Sequence, residues 1–410
     1  MFNKAKYQGE LWFPECSEEK RYCILTIVNN NVELETNLVP SDPYSQKNVH
    51  PLIFGAFNGL GYITFVDCKL GLDSTGIIRS AVYIPKYSFT HPDHVINPKN
   101  LQINKFRVAG IGLEKWTNFR FEYDNNLLST KSQQNHSFDI KQLGLEIKLN
   151  FWISSSVSIE QINLKKCGNI EFLFNSPINM REVLDYYIKA KKLIQFLNGK
   201  TDRFSFFNFQ CPEYGTWGAM YFKDLLFKDS KFEYLSIDFD KILDHLPLLF
   251  TKMLTDEKFY FCVNRLLDNQ VEGQLTHSKR FTNSISTFEG YCKLNIEVKN
   301  LKLSNYLKKN QQDILALSGI NEEYFDEFCS KIISSRDYYV HANMKNNNVF
   351  SDFELLYISF LLDILVAFNL LKQIDISQDI LNMIAYRSRE NYNGMQSFNR
   401  ELRQDTFLDN

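Results

Sequence analysis

The sequence predicts an α+β protein, with a β-rich, sandwich-like domain over residues 1–235 and an all-α helical bundle over residues 236–410. In the first part apolar and polar residues alternate, as they do around Val32, Leu34 and Leu38, and this period of two is typical of half-buried strands. From about residue 236 apolar residues recur every three or four positions, which is the period of an amphipathic helix. The length of 410 residues favours two domains, because single cores rarely grow beyond about 300 residues.

Two hairpins and one helix are predicted within the β-rich part. The paired strand-like runs are residues 22–28 with 32–38, and residues 52–57 with 62–66, each joined by an Asn- or Gly-containing turn. Apolar residues at helical spacing between 179 and 198, followed by a glycine, predict one amphipathic helix. The polar stretch 124–136 has no apolar period, so we expect an exposed loop there.

Four long helices with short connections are predicted for the second part, in the manner of an up-down bundle. They are residues 239–270, 275–299, 322–341 and 353–372. Ser351 and Glu354 form a capping-box pattern that sets the start of the last of these helices. The final 30 residues are polar, and we expect them to be partly frayed.

Composition limits the classes of partner and compartment. The chain has 46 basic and 48 acidic residues, so no overall positive field predicts a nucleic-acid partner, and any RNA site must be local. Eight cysteines are scattered without a CxxC pair, and residues 1–12 lack an apolar signal core. We therefore expect free thiols and a cytoplasmic location.

No metal or cofactor is predicted. His91-Pro92-Asp93-His94, and Cys16 with Cys23, contain ligand types for zinc, but neither set has a second spaced pair to complete four ligands. The sequence also lacks GxxxxGK[ST], GxGxxG and HExxH. Nucleotide-driven, Rossmann and zincin chemistry are therefore not supported.

The segment 355–371 is apolar almost all round, which raises the question of a membrane span. It has 17 residues and carries Asp363 and Asn369, whereas a span needs about 20 apolar residues and a central charge costs roughly 3 kcal/mol. We therefore predict a buried helix and no membrane association. Because its apolar surface exceeds what a four-helix core needs, part of it is expected to face a second subunit.

An arginine and a histidine five residues apart, Arg336 and His341, are the candidate catalytic residues. Phe325, Cys329 and Ile332 mark the buried stripe of the helix, and a further step of four places Arg336 on that stripe, where it needs an anionic partner or a cleft. The two side chains converge only if the helix ends at His341, and the polar residues that follow predict such an exit. The alternative is an arginine paired with a structural carboxylate and a histidine that caps the helix C-terminus.

Several neighbouring residues are candidates for supporting roles, each with a structural alternative. Asp337 lies four residues before His341, so its carboxylate is expected to orient the imidazole. Glu289 is a candidate partner for Arg336 or a solvated residue, and Tyr338 is a candidate platform for an RNA base. Core packing is expected for Tyr339. Asn343 and Lys345 are either phosphate contacts or part of a polar loop.

Arg336-Asp337-x-x-x-His341 resembles the R-[N/D/H]-x-x-x-H signature of HEPN ribonucleases, which are helical bundles that usually dimerise around a shared groove. The resemblance covers about 170 residues and includes the very apolar helix after the motif. Gly9-Glu10-Leu11-Trp12 and Gly112-Leu113-Glu114-Lys115-Trp116 further resemble the N-terminal domain of ApeA-type antiphage defence proteins, whose C-terminal half is a HEPN domain.

The resemblance implies a metal-independent endoribonuclease of abortive infection. His341 is then the general acid or base, Arg336 binds the phosphate, and attack by the ribose 2′-hydroxyl leaves 2′,3′-cyclic phosphate and 5′-hydroxyl ends. It also implies a homodimer through the HEPN domain or a higher oligomer, cellular RNA such as tRNA as substrate, and a β-rich domain that senses a phage trigger. Some HEPN toxins carry a modified tyrosine two residues after the histidine, whereas Asn343 stands here, which disfavours an antitoxin of that type.

Two other function classes stay open from the sequence. One is a catalytically silent HEPN scaffold that binds RNA or a protein partner. The other is a carbohydrate- or peptide-binding β domain attached to an inert bundle.

Overall fold

The computed structural model describes residues 4–39, 49–74, 80–117, 120–124, 127–131, 134–157, 161–200, 203–223, 235–269, 276–295, 301–341 and 348–405. Side chains are described for these residues except 72–74, 120–124, 127–131, 341 and 395–405. The chain forms two compact units, Met1–Ile188 with Asp202–Phe227, and Lys189–Thr201 with Lys228–Asn410. The predicted domain boundary between 235 and 236 stays a prediction.

A closed barrel forms the first part of the β-rich unit. Its strands are β1 (Lys4–Trp12), β2 (Arg21–Val28), β3 (Asn31–Thr36), β4 (Val49–Phe57), β5 (Gly61–Ser74) and β6 (Ser80–Ile84). They pair in the order β5-β4-β1-β2-β3-β6, and β6 pairs with β5 as well, which closes the ring. Successive residues of a strand face opposite sides, so Leu25, Leu34 and Phe65 point into the barrel, and none of them is exposed. Both predicted hairpins are present, as β2–β3 and β4–β5.

Further strands continue the sheet from β5 outward. Along the chain they are β7 (Tyr87–Thr90), β8 (Gln102–Ala109), β11 (His136–Ile140), β12 (Leu145–Val157), β13 (Ile162–Asn179), β14 (Phe206–Gln210) and β15 (Gly218–Phe222). The order from β5 is β7-β15-β14-β8-β13-β12-β11. The α+β class is confirmed, and the β-rich half is a barrel with an open extension rather than two facing sheets.

Two short elements lie between β8 and β11. They are helix α1 (Leu113–Trp116) and a separate hairpin of β9 (Arg120–Asp124) and β10 (Leu127–Lys131). The prediction of an exposed loop over residues 124–136 was therefore wrong. Helix α2 (Met180–Asn198) forms as predicted, with Asn179 Oδ1 accepting hydrogen bonds from the backbone amides of Arg181 and Glu182.

The second unit is helical. Its helices are α3 (Phe239–Ile242), α4 (Leu246–Thr255), α5 (Glu257–Asn269), α6 (His277–Asn295), α7 (Leu303–Lys309), α8 (Gln311–Ser318), α9 (Phe325–His341), α10 (Asp352–Lys372) and α11 (Gln378–Asp405). The predicted helix over 239–270 is broken, because Asp256 is extended and its carboxylate caps α5 through the amides of Lys258 and Phe259. Helix α11 replaces the predicted frayed end, since Ile380, Ile384 and Tyr392 bury one of its faces.

Helix α10 is the most deeply buried helix that the structure describes. It meets the length and composition test for a membrane span, but most of it is buried inside the protein, as predicted for a core helix. Every residue from 361 to 371 is buried, and α5, α6, α8 and α11 pack around it. The apolar surface of residues 361–371 is thus covered within the chain, while Leu356, Tyr357 and Phe360 are half-buried. Dimerisation itself stays a prediction.

Asp363 is buried at the centre of α10, with no exposed surface. Asn269 Nδ2 donates to Asp363 Oδ1 at 3.0 Å and also lies 3.2 Å from Thr287 Oγ1, which links α5, α6 and α10 by polar contacts. Burial raises the pKa of the Asp363 carboxyl to about 7, although Arg280 and hydrogen bonds from Asn269 and Ser284 act in the opposite direction.

Two hydrogen bonds determine where α10 begins. Ser351 Oγ accepts from the Glu354 amide, and Glu354 Oε2 accepts from the Ser351 amide at 2.8 Å, so the predicted capping box is confirmed. The Phe350 amide donates to Ser335 Oγ at 2.9 Å, and Ser335 has no exposed surface. This bond ties the residues before α10 to helix α9.

We predict that Asp363→Asn reduces the loss of stability of the helical unit as the pH rises. Between the unfolded pKa of about 4 and the folded pKa of about 7, the folded state holds a proton that the unfolded state has lost. The free energy of unfolding therefore falls over this range. An asparagine does not titrate, so it makes no contribution to this fall. Guanidinium unfolding followed by circular dichroism at pH 5 and pH 8 measures the difference. The exposed Asp379→Asn is the control, and parallel pH dependence of Asp363→Asn and wild type would contradict the prediction.

We predict that Ser335→Ala destabilises the helical unit by about 1–3 kcal/mol, because it leaves the buried Phe350 amide without its acceptor. Ser334→Ala is the matched control, since this neighbour is half-exposed and surface changes stay within about 0.5 kcal/mol. The two variants are compared by denaturant unfolding. Equal stabilities would show that the Ser335 bond does not hold this segment.

Candidate active site

Arg336 lies near the C-terminal end of α9 and is held by two carboxylates. Its Nη2 is 3.3 Å from Glu289 Oε1 on α6, and its Nη1 is 3.0 Å from Asp337 Oδ1. The side chain of Arg336 is 26% exposed, so its guanidinium is partly desolvated and still open to solvent on one side. The sequence had offered Glu289 as a candidate partner for this arginine, and the two side chains do meet.

The buried stripe of α9 does not run through Arg336. Phe325, Cys329 and Ile332 are buried as predicted, but the next step is three residues, so the buried position is Ser335. Arg336 therefore lies one position further round the helix, at the edge of its contact with α6. Stripes in amphipathic helices alternate steps of three and four, and the polar character of Ser335 obscured which step applied here.

Asp337 has a partner that the sequence did not predict, and its predicted contact with His341 stays a prediction. The sequence paired it with His341, one turn away on the same face, whereas the structure places its Oδ1 against Arg336 Nη1. Neighbouring residues seldom face each other on a helix, but the arginine side chain is long enough to fold back. Any contact with the imidazole lies outside the described side chains.

His341 is the last residue of α9 that the structure describes, and the residues directly after it lie outside the described ones, so the predicted helix exit there stays a prediction. The side chain of His341 is not among those described. Asn343 and Lys345 also lie outside the described residues, so their predicted substrate contacts stay predictions.

Tyr338 and Tyr339 form an edge-to-face pair with ring centroids 4.7 Å apart. Tyr339 also packs against Phe281, at 6.3 Å between ring centroids, and its hydroxyl lies 3.4 Å from the Phe350 carbonyl oxygen. Burial, and then the charge of Asp352, raise the pKa of Tyr339. Tyr339 therefore has a packing role, while Tyr338, three residues before His341, is half-exposed.

The guanidinium retains binding capacity for a further anion. Arginine has five N–H donors, and the contacts to Glu289 and Asp337 use one on each terminal nitrogen. Two carboxylates and one guanidinium leave the group with a net charge of about −1, which opposes the binding of a further anion unless one carboxylate moves away. Asp337 is the more exposed of the two, at 40% against 18% for Glu289.

The two sets of residues weighed as zinc ligands have other environments. His94 stacks on Phe54 at 4.5 Å and meets the edge of Trp12 at 5.0 Å, and burial lowers its pKa to about 4. Cys23 is inside the barrel, whereas Cys16 is exposed. Among the residues that the structure describes, no three His, Cys, Asp or Glu side chains cluster as metal ligands do.

The sequence did not reveal the role of Ser335 or the link between Lys331 and Glu354, whose charged atoms are 3.1 Å apart. Both contacts attach α9 to the start of α10, beside the candidate site. The available signal was that Ser335 lies three residues after Ile332, which is a spacing that the buried stripe of a helix allows. The Lys331 contact joins residues 23 positions apart, and spacing alone does not reveal such a pair.

Comparison with known families agrees with this architecture. Residues 6–253 match the model of the ApeA N-terminal domain 1, and residues 250–380, which include Glu289, Arg336 and His341, match the Apea-like HEPN model. No curated protein and no solved structure shows significant similarity to the chain. The first model spans more than half of the chain, and the two together cover both predicted parts. The chain therefore belongs to the ApeA-type antiphage HEPN proteins, in which an ApeA N-terminal domain precedes an ApeA-like HEPN domain.

Proposed function

We propose that this protein is a metal-independent endoribonuclease of abortive infection. The observation that carries the proposal is the arginine held by Glu289 and Asp337, five residues before His341 on the same helix, within a HEPN domain. Arginine and histidine are the residue types that this reaction needs, one to bind a phosphate and the other to move a proton.

The reaction is an attack of the ribose 2′-hydroxyl on the adjacent phosphate. His341 transfers the proton, because an imidazole titrates near neutral pH and changes protonation state at little cost. Arg336 binds the phosphoryl oxygens, where negative charge grows in the transition state. The products carry 2′,3′-cyclic phosphate and 5′-hydroxyl ends.

The two carboxylates have separate roles in this mechanism. Glu289 lies on another helix and is the less exposed, so it keeps the guanidinium oriented while substrate is bound. Asp337 is the more exposed and yields its place to the phosphate. Displaced in this way, Asp337 becomes free to contact His341, one turn further along α9, and to stabilise the imidazolium.

The substrate is RNA, with tRNA cut in a single-stranded loop as the specific case. Tyr338 is half-exposed beside Arg336 and supplies a face for a base, and we assign phosphate contacts to Asn343 and Lys345. The N-terminal domain is assigned the sensing of a phage-derived trigger. Its family membership supports this assignment.

A homodimer through the HEPN domain, or a higher oligomer, is part of the proposal. Val340 lies one turn after Arg336 on the same helix face and is 40% exposed. An exposed apolar side chain beside a catalytic arginine favours a face that a second subunit covers. Two motifs would then share one groove.

A catalytically silent scaffold is the second candidate. The engagement of Arg336 by two carboxylates favours it, since an arginine held in this way is also a structural ion pair. Overexpression separates the two functions. A scaffold leaves growth unaffected by Arg336→Ala and His341→Ala, whereas an activated ribonuclease is toxic only with both residues intact.

We predict that His341→Ala and Arg336→Ala each lower the rate of RNA cleavage by about 10²- to 10⁴-fold. The full-length protein is incubated with total RNA and EDTA, after activation by lysate of phage-infected cells, and the cut ends are tested for 2′,3′-cyclic phosphate. Glu289→Gln is expected to give an intermediate rate, because the amide oxygen still accepts a hydrogen bond from Arg336 but carries no negative charge. Arg389→Ala, an exposed arginine of α11, is the control. Equal cleavage by the wild type and both motif variants would refute the catalytic assignment.

We predict that the native mass is at least twice the 48.2 kDa of the chain and that Val340→Glu reduces it to that of a monomer. A buried carboxylate at a subunit contact lacks a partner and is costly to desolvate. Light scattering after size exclusion measures the mass at micromolar concentration. Tyr386→Glu is the control, since Tyr386 is 60% exposed on α11. A monomeric wild type would exclude a groove formed between the HEPN domains of two subunits.

A further inference from the structure

A groove of about 590 Å³ lies between helices α5 and α6 in the helical unit. Its α5 wall carries Lys258 and Phe261, and its α6 wall carries Gly290, Lys293 and Leu294. Most side chains of these two helices that face each other are buried, so a groove at this position is a departure from the close packing of the bundle.

Gly290 and Phe261 form the apolar floor of the groove. Gly290 carries no side chain, and a Cβ built on it would meet Phe261 Cε1 at 3.7 Å and no other atom within 4 Å. Phe261 is 42% exposed, which is a large apolar exposure for a helical position in a bundle. The missing side chain at residue 290 therefore leaves part of the Phe261 ring open to solvent, while the Arg265 guanidinium lies 5.6 Å from the ring centroid and adds positive charge there.

Two lysines give the groove a positive rim. Lys258 Nζ donates to the Leu294 carbonyl oxygen at 3.1 Å, which keeps its ammonium beside the groove. Lys293 is exposed and has no ion pair among the residues that the structure describes. The one carboxylate lining the groove, Glu257, lies 3.4 Å from Lys189 Nζ and is thereby offset.

The groove adjoins the candidate active site along α6. Gly290 directly follows Glu289, whose carboxylate holds Arg336, and one residue of helix rises only about 1.5 Å. The two side-chain positions differ by about 100° around the helix axis, so the groove and the ion pair lie on adjoining faces of one helix.

We propose that this groove binds the RNA strand that the Arg336–His341 site cleaves, with one unpaired base stacked on Phe261 and phosphates contacted by Lys258 and Lys293. The inference rests on the proposed function, because it takes RNA as the substrate. An aromatic surface next to lysines is the combination that binds single-stranded nucleic acid, since every base has a face that stacks. Charge decides against a second copy of this chain as the occupant, because a symmetric contact would bring like-charged lysines together.

Binding is measured in the cleavage-inactive His341→Ala full-length protein with a fluorescein-labelled single-stranded RNA of twelve mixed-sequence nucleotides. Phe261→Ala is expected to weaken binding about tenfold, the loss typical of one stacked base. Gly290→Leu fills the groove beside Phe261 and should weaken binding at least as much. Tyr386→Ala is the matched control, an exposed aromatic residue of α11 that should bind as the parent does.

Salt dependence provides a second measurement. Lys293→Gln removes one phosphate contact, so the slope of log affinity against log salt concentration should fall by about 0.7. Circular dichroism and thermal unfolding establish that each variant is folded, and Phe261→Ala decides the question if Gly290→Leu is not.

The proposal is overturned if folded Phe261→Ala binds the RNA with the affinity of the parent, or if the parent does not bind it. It is also overturned if the groove variants lower the native mass while RNA affinity is unchanged, which would identify a protein contact. Failure of the proposed function is a different result. Cleavage would then be unaffected by Arg336→Ala and His341→Ala in the otherwise native chain, whatever the groove variants bind.

Discussion

The helical domain depends on the burial of α10. This helix is apolar on nearly all sides, so it is stable only where other helices surround it, and α5, α6, α8 and α11 do so. The position of α10 therefore determines the positions of the four helices packed around it. The capping box at Ser351 and the bond from the Phe350 amide to Ser335 then set where α10 begins and how α9 runs beside it. The polar contacts of Asp363 with α5 and α6 restrict the register of the helices, because a buried carboxyl tolerates few arrangements.

Packing around α10 also brings α6 and α9 together, and the candidate site lies where their exposed edges meet. Glu289 and Arg336 are 47 residues apart in the chain, yet their charged atoms are 3.3 Å apart. Both side chains are partly buried, which strengthens their attraction without closing the site to a substrate. The arginine is thus held in one orientation by contacts within the folded chain. A preoriented donor is more effective in catalysis than one that must be ordered during the reaction.

In the β-rich domain, closure of a barrel pairs the backbone hydrogen-bonding groups at the strand edges. Pairing of β6 with both β3 and β5 closes the barrel, which leaves no free edge within the ring of described strands. The strands beyond β7 continue the sheet, and its buried face is rich in phenylalanine. Phe106, Phe172 and Phe207 stack there, with centroids of neighbouring rings 4.5 to 5.4 Å apart. This explains part of the unusual aromatic content of the chain.

Sequence patterns alone predicted the α+β class, the two hairpins, helix α2, the buried character of α10 and its capping box. These are local features, set by apolar period, turn residues and caps within a few positions of each other. The sequence could not show that β6 closes a barrel, that Asp256 breaks the helix over 239–270, or that Ser335 rather than Arg336 occupies the buried stripe. It also could not show that the Asp337 carboxylate contacts Arg336. Each of these outcomes depends on which of several competing contacts forms. The contacting residues are brought together only by folding, so local sequence patterns do not decide among them.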